Sequence, residues 1–349
     1  MGRRARRSRP RPEAGLPAAV RGAGGPPAGQ ARRRSDEGGC CHRRGPTRCP
    51  PGAGCRGSAS GREGGARSRR RPYHRLVLLI VDLDGVVYRG PQPVPGVAAL
   101  LARRAAAGDA IVYATNNSRS HRTDYLARLA RLGAPVDPDR IVTAARATAL
   151  TLAADRGHWC PNGRVMVLGG PGLARELRDV GLAAVAPTER GLAQAPAALV
   201  VGVDFALSYR RLSIAAEAVR RGACFVATNR DHVFPTEHGL MAGAGTMVAA
   251  VATAVGRDPD LVVGKPQPRL FEAAAALVGR PVREAVVVGD GLATDIAAAR
   301  AVGARSILML TGVTGPAEAA AAPPRLRPTF VAADAEALAA ILERLEAAG

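Results

Sequence analysis

Two acidic residues, Asp82 and Asp84, follow an apolar run and stand one residue apart. The run covers residues 76–81 and has the Leu-, Val- and Ile-rich composition typical of a strand buried on both faces of a parallel sheet. Carboxylates at the carboxyl end of such a strand lie beside the crevice where open α/β sheets bind ligands. Because two carboxylates this close repel each other, the pair indicates a divalent metal. A helix cap and an Asp-Gly turn would also explain both residues.

Lys265 is the only lysine among the 49 basic residues of the chain. Arginine is a planar fork and lysine a compact point charge on a flexible stem, so the two are not interchangeable at a crowded anionic site. We interpret Lys265 as an ammonium that bridges a carboxylate and a phosphoryl oxygen. The competing interpretation is that a single lysine persists by chance in a composition biased towards arginine.

Two further predicted strands end in polar residues. Thr115 and Asn116 follow one of them, and their hydroxyl and backbone N–H groups suit a phosphate. Asp290 follows the other, and Asp295 begins the next predicted helix, so one acid can bind a metal while the other orients the site. Taken singly, each of these residues also fits an ordinary helix cap.

The chain from residue 74 onward alternates strand-like runs with Ala-, Leu- and Arg-rich helical stretches, which is typical of a parallel α/β fold. Strands are predicted over residues 76–81, 110–114, 164–168, 198–203, 223–227, 285–289, 306–310 and 329–332. Helices are predicted between them, among others over residues 94–107, 123–132 and 296–302. The polar groups described above therefore lie at the carboxyl ends of strands or in a loop beside them.

The first 72 residues have a different composition. They contain 19 of the 49 basic residues and four of the 29 acidic ones, and so carry +15 of the formal net charge of +20. Such a segment buries too little apolar surface to fold, and we predict a disordered basic extension. It either binds nucleic acid or another acidic surface, or has no function. Four of the six cysteines lie here in a spacing that matches no zinc template.

The sequence contains no secretory signal and no apolar run of membrane-spanning length. We therefore expect a cytoplasmic protein that does not contact a membrane. The cysteines outside the basic extension are isolated from each other, and we expect them to be reduced.

Four motifs of this chain together resemble those of the haloacid dehalogenase-like (HAD) phosphohydrolases: Asp-Leu-Asp-Gly-Val, Thr-Asn-Asn-Ser, Gly-Lys-Pro and Gly-Asp-x-Leu-x-Thr-Asp-Ile. In detail they are similar to the class IIA phosphatase branch. The resemblance covers about residues 74–335 and implies a Rossmann-like, doubly wound parallel-sheet core with an inserted α/β cap. It implies a core of residues 73–155 and 260–349 and a cap of residues 156–259, with residues 1–72 outside both.

The resemblance also implies catalytic roles for five residues. Asp82 would attack phosphorus and form an aspartyl-phosphate. Asp84 would protonate the leaving group and then deprotonate the hydrolytic water. Thr115 and the backbone N–H of Asn116 would bind the phosphoryl oxygens, and Lys265 would offset the charge on the nucleophile and the phosphate.

A magnesium ion is the cofactor that the resemblance implies. Its ligands would be Asp82, the backbone carbonyl of Asp84, and Asp290, and Asp295 would steady them. Oxygen ligands without histidine or cysteine agree with magnesium rather than zinc.

The segment 227–246 resembles the family's substrate-specificity loop, although it has Ala-Gly-Ala-Gly where the family commonly has Pro-Gly-x-Gly. The candidate substrate contacts are Asn229, Arg230, Asp231 and His232. Its Pro-Thr-Glu-x-Gly-Leu stretch, residues 235–240, looks most like bacterial glycerol 3-phosphate phosphatases. Phosphoglycolate and nucleotide monophosphates are alternative substrates.

The sequence therefore predicts a magnesium-dependent phosphomonoester hydrolase that acts on a small phosphorylated metabolite, with homodimerisation through the cap as a further expectation. The alternative of another class is a non-catalytic protein that senses a phosphorylated metabolite or binds nucleic acid through the basic extension. The presence of Asp82, Asp84, Lys265 and Asp290 together favours the enzyme.

Overall fold

The computed structural model describes residues 76–236 and 239–347. The predicted basic extension, residues 1–72, lies outside the described residues together with its four cysteines. Residues 237 and 238 of the stretch 235–240 also lie outside them. Within the described residues, no helix is long and apolar enough to cross a membrane.

Most strands of the described residues belong to two parallel sheets. In chain order the strands are β1 (Leu78–Val81), β2 (Tyr88–Arg89), β3 (Gln92–Pro93), β4 (Ala110–Thr115), β5 (Ile141–Thr143), β6 (Arg164–Leu168), β7 (Ala183–Val185), β8 (Ala198–Val201), β9 (Cys224–Ala227), β10 (Val233–Thr236), β11 (Gly239–Ala242), β12 (Leu261–Val262), β13 (Ala285–Gly289), β14 (Arg305–Met309) and β15 (Phe330–Ala332). The first sheet has the order β15-β14-β13-β1-β4-β5 and the second has the order β12-β9-β8-β6-β7. Strands β2 and β3, and β10 and β11, form two antiparallel hairpins. The predicted parallel α/β class is confirmed.

Helices connect the strands. In chain order they are α1 (Val97–Ala106), α2 (Leu126–Arg131), α3 (Ala144–Ala154), α4 (Arg156–Trp159), α5 (Pro171–Asp179), α6 (Glu189–Leu192), α7 (Tyr209–Arg220), α8 (Ala244–Val255), α9 (Arg269–Ala276), α10 (Ala297–Ala301), α11 (Pro316–Ala320) and α12 (Ala335–Ala347). The prediction that Asp295 begins a helix is wrong, because a helical turn over Leu292–Ile296 precedes α10. The predicted helix 123–132 is also partly wrong, since a 3₁₀ turn, Arg122–Tyr125, replaces its first turn.

Strand β1 lies in the interior of the first sheet, and all four of its residues are buried. Leu78 and Ile80 join the apolar cluster that contains residues of α3 and α9. Leu79 and Val81 join the cluster on the opposite face, with residues of α1 and α12. Burying a side chain of this size contributes about 1.5–3 kcal/mol. The continuous apolar run is therefore explained by a sheet that is covered on both faces.

The second sheet is built from an insertion between β5 and β13 of the first sheet. We call its residues, 164–262, the cap and the rest of the described chain the core. Strand β12 pairs with β9, so the second sheet extends beyond the predicted cap segment 156–259. The predicted domain boundaries stay a prediction.

The core loop that follows β4 is bonded directly to the cap. The hydroxyl of Ser118 accepts a hydrogen bond from the backbone N–H of Val203 at 3.1 Å. The N–H of Gly172, in the first turn of α5, donates to the carbonyl of Arg119 at 3.0 Å. A Cβ atom at Gly172 would overlap the backbone of residues 119–121, so only glycine permits this approach.

Glu176 of α5 is a buried acid that extends this contact. Its carboxylate accepts from the backbone N–H of Arg122 at 2.8 Å and pairs with the guanidinium of the same residue. His121 and Asp179 lie beside it, and the three titratable groups are close enough to hold a metal ion. The guanidinium of Arg122 also contacts Asp179 at 2.8 Å and already supplies the positive charge. We therefore interpret the cluster as an ion-pair network between core and cap.

Replacing Glu176 with alanine should lower the free energy of unfolding by about 3–5 kcal/mol, because it leaves the Arg122 guanidinium without its buried partner. The Asp179→Ala variant, which changes an exposed acid of the same network, is the control. Its free energy of unfolding should fall by about 1 kcal/mol or less. Urea unfolding followed by circular dichroism measures both variants. Equal losses in the two variants would contradict the assignment.

Candidate active site

The polar ends of three neighbouring strands meet at one edge of the first sheet. Asp82 follows β1, Thr115 is the last residue of β4, and Asp290 follows β13. The sheet order β13-β1-β4 places these residues side by side. Lys265, from the loop between β12 and α9, reaches Asp82 from the side. The structure thus brings together groups from all four sequence motifs.

The ammonium of Lys265 is at the centre of the site. It donates to Oδ1 of Asp82 at 2.8 Å, to Oδ1 of Asp295 at 2.7 Å and to the carbonyl of Ala114 at 3.3 Å, so each of its three protons has an acceptor. Only 3% of the residue is exposed. Burial acts to lower the pKa of Lys265, but the charges of Asp295 and Asp82 outweigh it and hold the pKa above its ordinary value.

Three buried carboxylates lie together here, and two of them, Asp82 and Asp295, contact the ammonium. Oxygens of Asp82, Asp290 and Asp295 all lie within 4.8 Å of one another. Burial, together with repulsion from the neighbouring acids, raises the pKa of Asp82 well above its ordinary value and that of Asp290 to about 6. An all-oxygen cluster with excess negative charge is the environment that a hard divalent cation requires, so these residues fit a bound metal.

Asp290 is held by a loop that the sequence motifs did not include. Its Oδ2 accepts a hydrogen bond from the backbone N–H of Val313 at 2.7 Å. A Cβ at either Gly85 or Gly312 would overlap this carboxylate, and Gly85 also has a φ of 78°. The loop after β14 therefore closes one side of the site. The sequence signal for it is the stretch Thr-Gly-Val-Thr, residues 311–314, which follows a predicted strand.

Asp84 differs from the other acids because its side chain is exposed. It lies in the turn that follows β1, where the N–H of Gly85 donates to the carbonyl of Tyr88 at 2.7 Å. The surrounding protein raises the pKa of Asp84 above its ordinary value, and the charge of Arg128 opposes this rise. The guanidinium of Arg128, in α2, stacks on the Tyr88 ring at 3.3 Å from the ring centre. A carboxyl group with a raised pKa is suited to donate a proton.

Thr115 and Asn116 lie beside Lys265. Thr115 is buried, and its hydroxyl accepts from the N–H of Asn117 at 3.2 Å. The side chain of Asn116 bonds to the backbone of Lys265 on both sides, with its Oδ1 accepting from the N–H at 2.8 Å and its Nδ2 donating to the carbonyl at 3.0 Å. The family resemblance implies a role only for the backbone N–H of Asn116, and not for these side-chain bonds.

The four cap candidates have different surroundings. Asn229 is buried and donates from Nδ2 to the carbonyl of Asn116 at 2.7 Å. Both carboxylate oxygens of Asp231 accept from Nδ2 of Asn116, at 3.1 and 3.0 Å. Arg230 forms an ion pair with an acid of the cap surface, Asp258. His232 is exposed. Two of the four therefore contact the core loop after β4.

An aromatic stack that the sequence did not indicate joins the same loop to the cap. The guanidinium of Arg119 lies 4.4 Å from the centre of the Phe205 ring. Phe205 in turn stacks on Phe234 of β10, with ring centres 6.4 Å apart. Phe205 is 57% exposed, so the stack forms part of the surface.

Comparisons with known proteins agree with this arrangement. A haloacid dehalogenase-like hydrolase family model matches residues 79–183, and a HAD-hydrolase-like model matches residues 262–338. The chain is 39% identical to the D-glycerol 3-phosphate phosphatase of Mycobacterium tuberculosis, over 74% of this chain and 70% of the relative. The chain belongs to the haloacid dehalogenase-like hydrolases. Within them it falls in the class IIA phosphatase branch.

Other relatives of this HAD hydrolase support the same placement. Glycerol-3-phosphate phosphatase of Gallus gallus is 37% identical over 72% of this chain and 87% of the relative. The crystal structure of the Mycobacterium tuberculosis glycerol phosphate phosphatase in complex with magnesium has a TM-score of 0.66, and the alignment covers 75% of each chain. The magnesium complex of that relative agrees with the cluster of carboxylate oxygens in this HAD hydrolase.

Replacing Lys265 with methionine should lower the free energy of unfolding of the metal-free HAD hydrolase by about 3–5 kcal/mol at pH 7.5, because the buried carboxylates lose their counter-charge. The loss should be smaller at pH 5. Carboxylates with raised pKa values bind protons in the folded state before the unfolded state does, so stability rises as pH falls. Urea unfolding in a chelating buffer at both pH values measures this. A loss that is the same at both pH values would contradict it.

Proposed function

We propose that this chain is a magnesium-dependent phosphomonoester hydrolase that acts on a small phosphorylated metabolite through an aspartyl-phosphate on Asp82. The observation that carries the proposal is the buried contact of the Lys265 ammonium with Asp82, at 2.8 Å. An ammonium in this position favours the ionised form of the attacking carboxylate, opposing the effect of burial, and offsets the charge of an approaching phosphoryl group.

In the first step, the oxygen of Asp82 that is not bonded to Lys265 attacks phosphorus. The bond between phosphorus and the leaving oxygen breaks, and Asp84 gives its proton to that oxygen. In the second step, Asp84 removes a proton from water as the water attacks phosphorus. The bond to Asp82 breaks, orthophosphate leaves, and both residues return to their starting states. Thr115 and the backbone N–H of Asn116 hold the phosphoryl oxygens throughout.

Asp82, Asp290 and the backbone carbonyl of Asp84 would hold magnesium. Asp295 would steady the site, since its Oδ2 accepts from the N–H of Gly291 at 3.2 Å while its Oδ1 accepts from the lysine. When bound, the ion supplies positive charge to the phosphoryl group and to the acids. The excess of carboxylates over ammonium groups in this buried cluster supports the assignment.

Glycerol 3-phosphate is the substrate that we propose. Two relatives from distant organisms carry this activity in their names, at 39% and 37% identity. The stretch 235–240 supports the same choice. Phosphoglycolate and nucleotide monophosphates are the comparison substrates, because each carries the same phosphoryl group on a different leaving group.

The wild-type chain should release phosphate from p-nitrophenyl phosphate and from these esters when magnesium is present, with the highest kcat/KM for glycerol 3-phosphate. A chelator should abolish turnover. The Asp82→Asn variant, which lacks the nucleophile, should lose a factor of about 10⁴ or more in kcat. Phosphate release measured by a colorimetric assay tests all three expectations.

The Glu189→Ala variant, which changes an exposed acid of the cap, is the control and should keep wild-type turnover. Full activity of Asp82→Asn would show that the mechanism is wrong. A wild-type chain without activity on any ester would refute the proposed function.

The Asp84→Asn variant separates the two steps. With p-nitrophenyl phosphate, the leaving group departs without a proton donor, so Asp82 should still be phosphorylated. Water attack then lacks its base. We expect a burst of about one p-nitrophenolate per active site followed by slow turnover, measured by stopped-flow absorbance. Slow release without a burst would contradict the assignment of Asp84 to the second step.

A further inference from the structure

Both polar atoms of the Asn116 side-chain amide form hydrogen bonds. Its Oδ1 faces the backbone N–H of Lys265, and its Nδ2 faces the carbonyl of Lys265 and the carboxylate of Asp231. A donor can only meet the amide oxygen, and acceptors can only meet the amide nitrogen. The surroundings therefore allow a single orientation of this amide. In it, one N–H of Nδ2 donates a hydrogen bond to the backbone carbonyl of Lys265, and the other donates to the carboxylate of Asp231.

The backbone of Lys265 is fixed by this amide. Both its N–H and its carbonyl bond to Asn116, at 2.8 and 3.0 Å. Gly264 lies so close that a Cβ atom there would be 2.7 Å from Oδ1 of Asn116. The ammonium of Lys265 must reach Asp82 and Asp295 from this backbone position. Its place in the site therefore depends on where the amide of Asn116 lies.

The cap fixes Asn116 in turn. Asp231 bonds to the Asn116 amide with both oxygens, and Asn229 bonds to the Asn116 carbonyl at 2.7 Å. The side chain of Asn229 also accepts from the N–H of Asp231 at 3.0 Å, which orients the acid. Hydrogen bonds with an ionised acceptor are about twice as strong as neutral ones. The carboxylate of Asp231 in the cap is thus the charged end of a series of hydrogen bonds that leads through Asn116 to Lys265.

We propose that Asp231 is a positioning residue for the phosphoryl-transfer reaction: from the cap it fixes Asn116, and through Asn116 it fixes the Lys265 ammonium against Asp82. The inference rests on the proposed function. It also replaces the expectation from sequence that Asp231 contacts the leaving group. Lys265 acts on the phosphoryl group, which all substrates share, so the effect of Asp231 is the same for every substrate.

The test is the Asp231→Ala variant assayed on p-nitrophenyl phosphate, glycerol 3-phosphate and a nucleoside monophosphate. We expect kcat/KM to fall by about 10- to 100-fold, the effect of displacing a catalytic group by about 1 Å, and by the same factor on all three esters. Losses that differ by more than about 10-fold between esters would show a contact with the leaving group and overturn the proposal. An unchanged kcat/KM would also overturn it.

Two further measurements separate positioning from a general structural role. The Asp231→Asn variant keeps one acceptor for the Asn116 amide and should recover most of the activity, to within about 3-fold of wild type. In a double-mutant cycle, adding Asp231→Ala to the Asn116→Ala variant should lower kcat/KM by less than about 3-fold, because the residue through which Asp231 acts is already lost. The proposal would be contradicted if the two losses in kcat/KM multiplied in the double variant. It would also be contradicted if Asp231→Asn lost as much kcat/KM as Asp231→Ala.

Melting temperatures show whether each variant is folded. If Asp231→Ala is not folded, Asp231→Ser replaces it in the test. The Glu189→Ala variant again serves as the cap control, with kcat/KM expected at the wild-type value. The two proposals fail in different ways. An inactive wild-type chain refutes the proposed function, whereas an active wild type with an equally active Asp231→Ala variant refutes only the role of Asp231.

Discussion

The ion-pair network around the Lys265 ammonium is the constraint on which the site depends. A buried carboxylate without a counter-charge costs several kcal/mol, and here three of them lie together. The order of strands β13, β1 and β4 brings two of these acids to one sheet edge, and the loop before α9 brings the lysine to them. Bonds from the cap then hold that loop. Fold and chemistry are coupled because neither sheet alone places the ammonium.

The long buried strands could be predicted from sequence because a run such as residues 76–81 has no other explanation as strong as burial on two faces. Short elements gave no such signal. Strand β12 has two residues, and β5 has three, too few to show a period. The first turn of the predicted helix 123–132 became a 3₁₀ turn because His121 and Asp124 cap it, a local competition that apolar spacing does not reveal.

The acids and the lysine of the site could be found in the same way, since their types and positions after strands are unusual. The residues that support them could not. Val313 and Gly312 hold Asp290 from a loop more than 20 residues further along the chain, and Asp231 bonds to Asn116 across a separation of 115 residues. The first contact exists only once β13 and β14 are neighbours in the sheet, and the second only once the cap has packed on the core. A single sequence does not reveal which residues far apart in the chain contact each other.

The bonds of Ser118, Gly172 and Glu176 across core and cap have a consequence for how the cap can move. A cap that moved outward as a rigid body would pull on the loop after β4, which begins at Asn116. Such a movement would also displace the neighbours of Lys265 in that loop. The position of the cap and the shape of the edge of the first sheet are therefore mechanically coupled, because the same loop carries contacts to both.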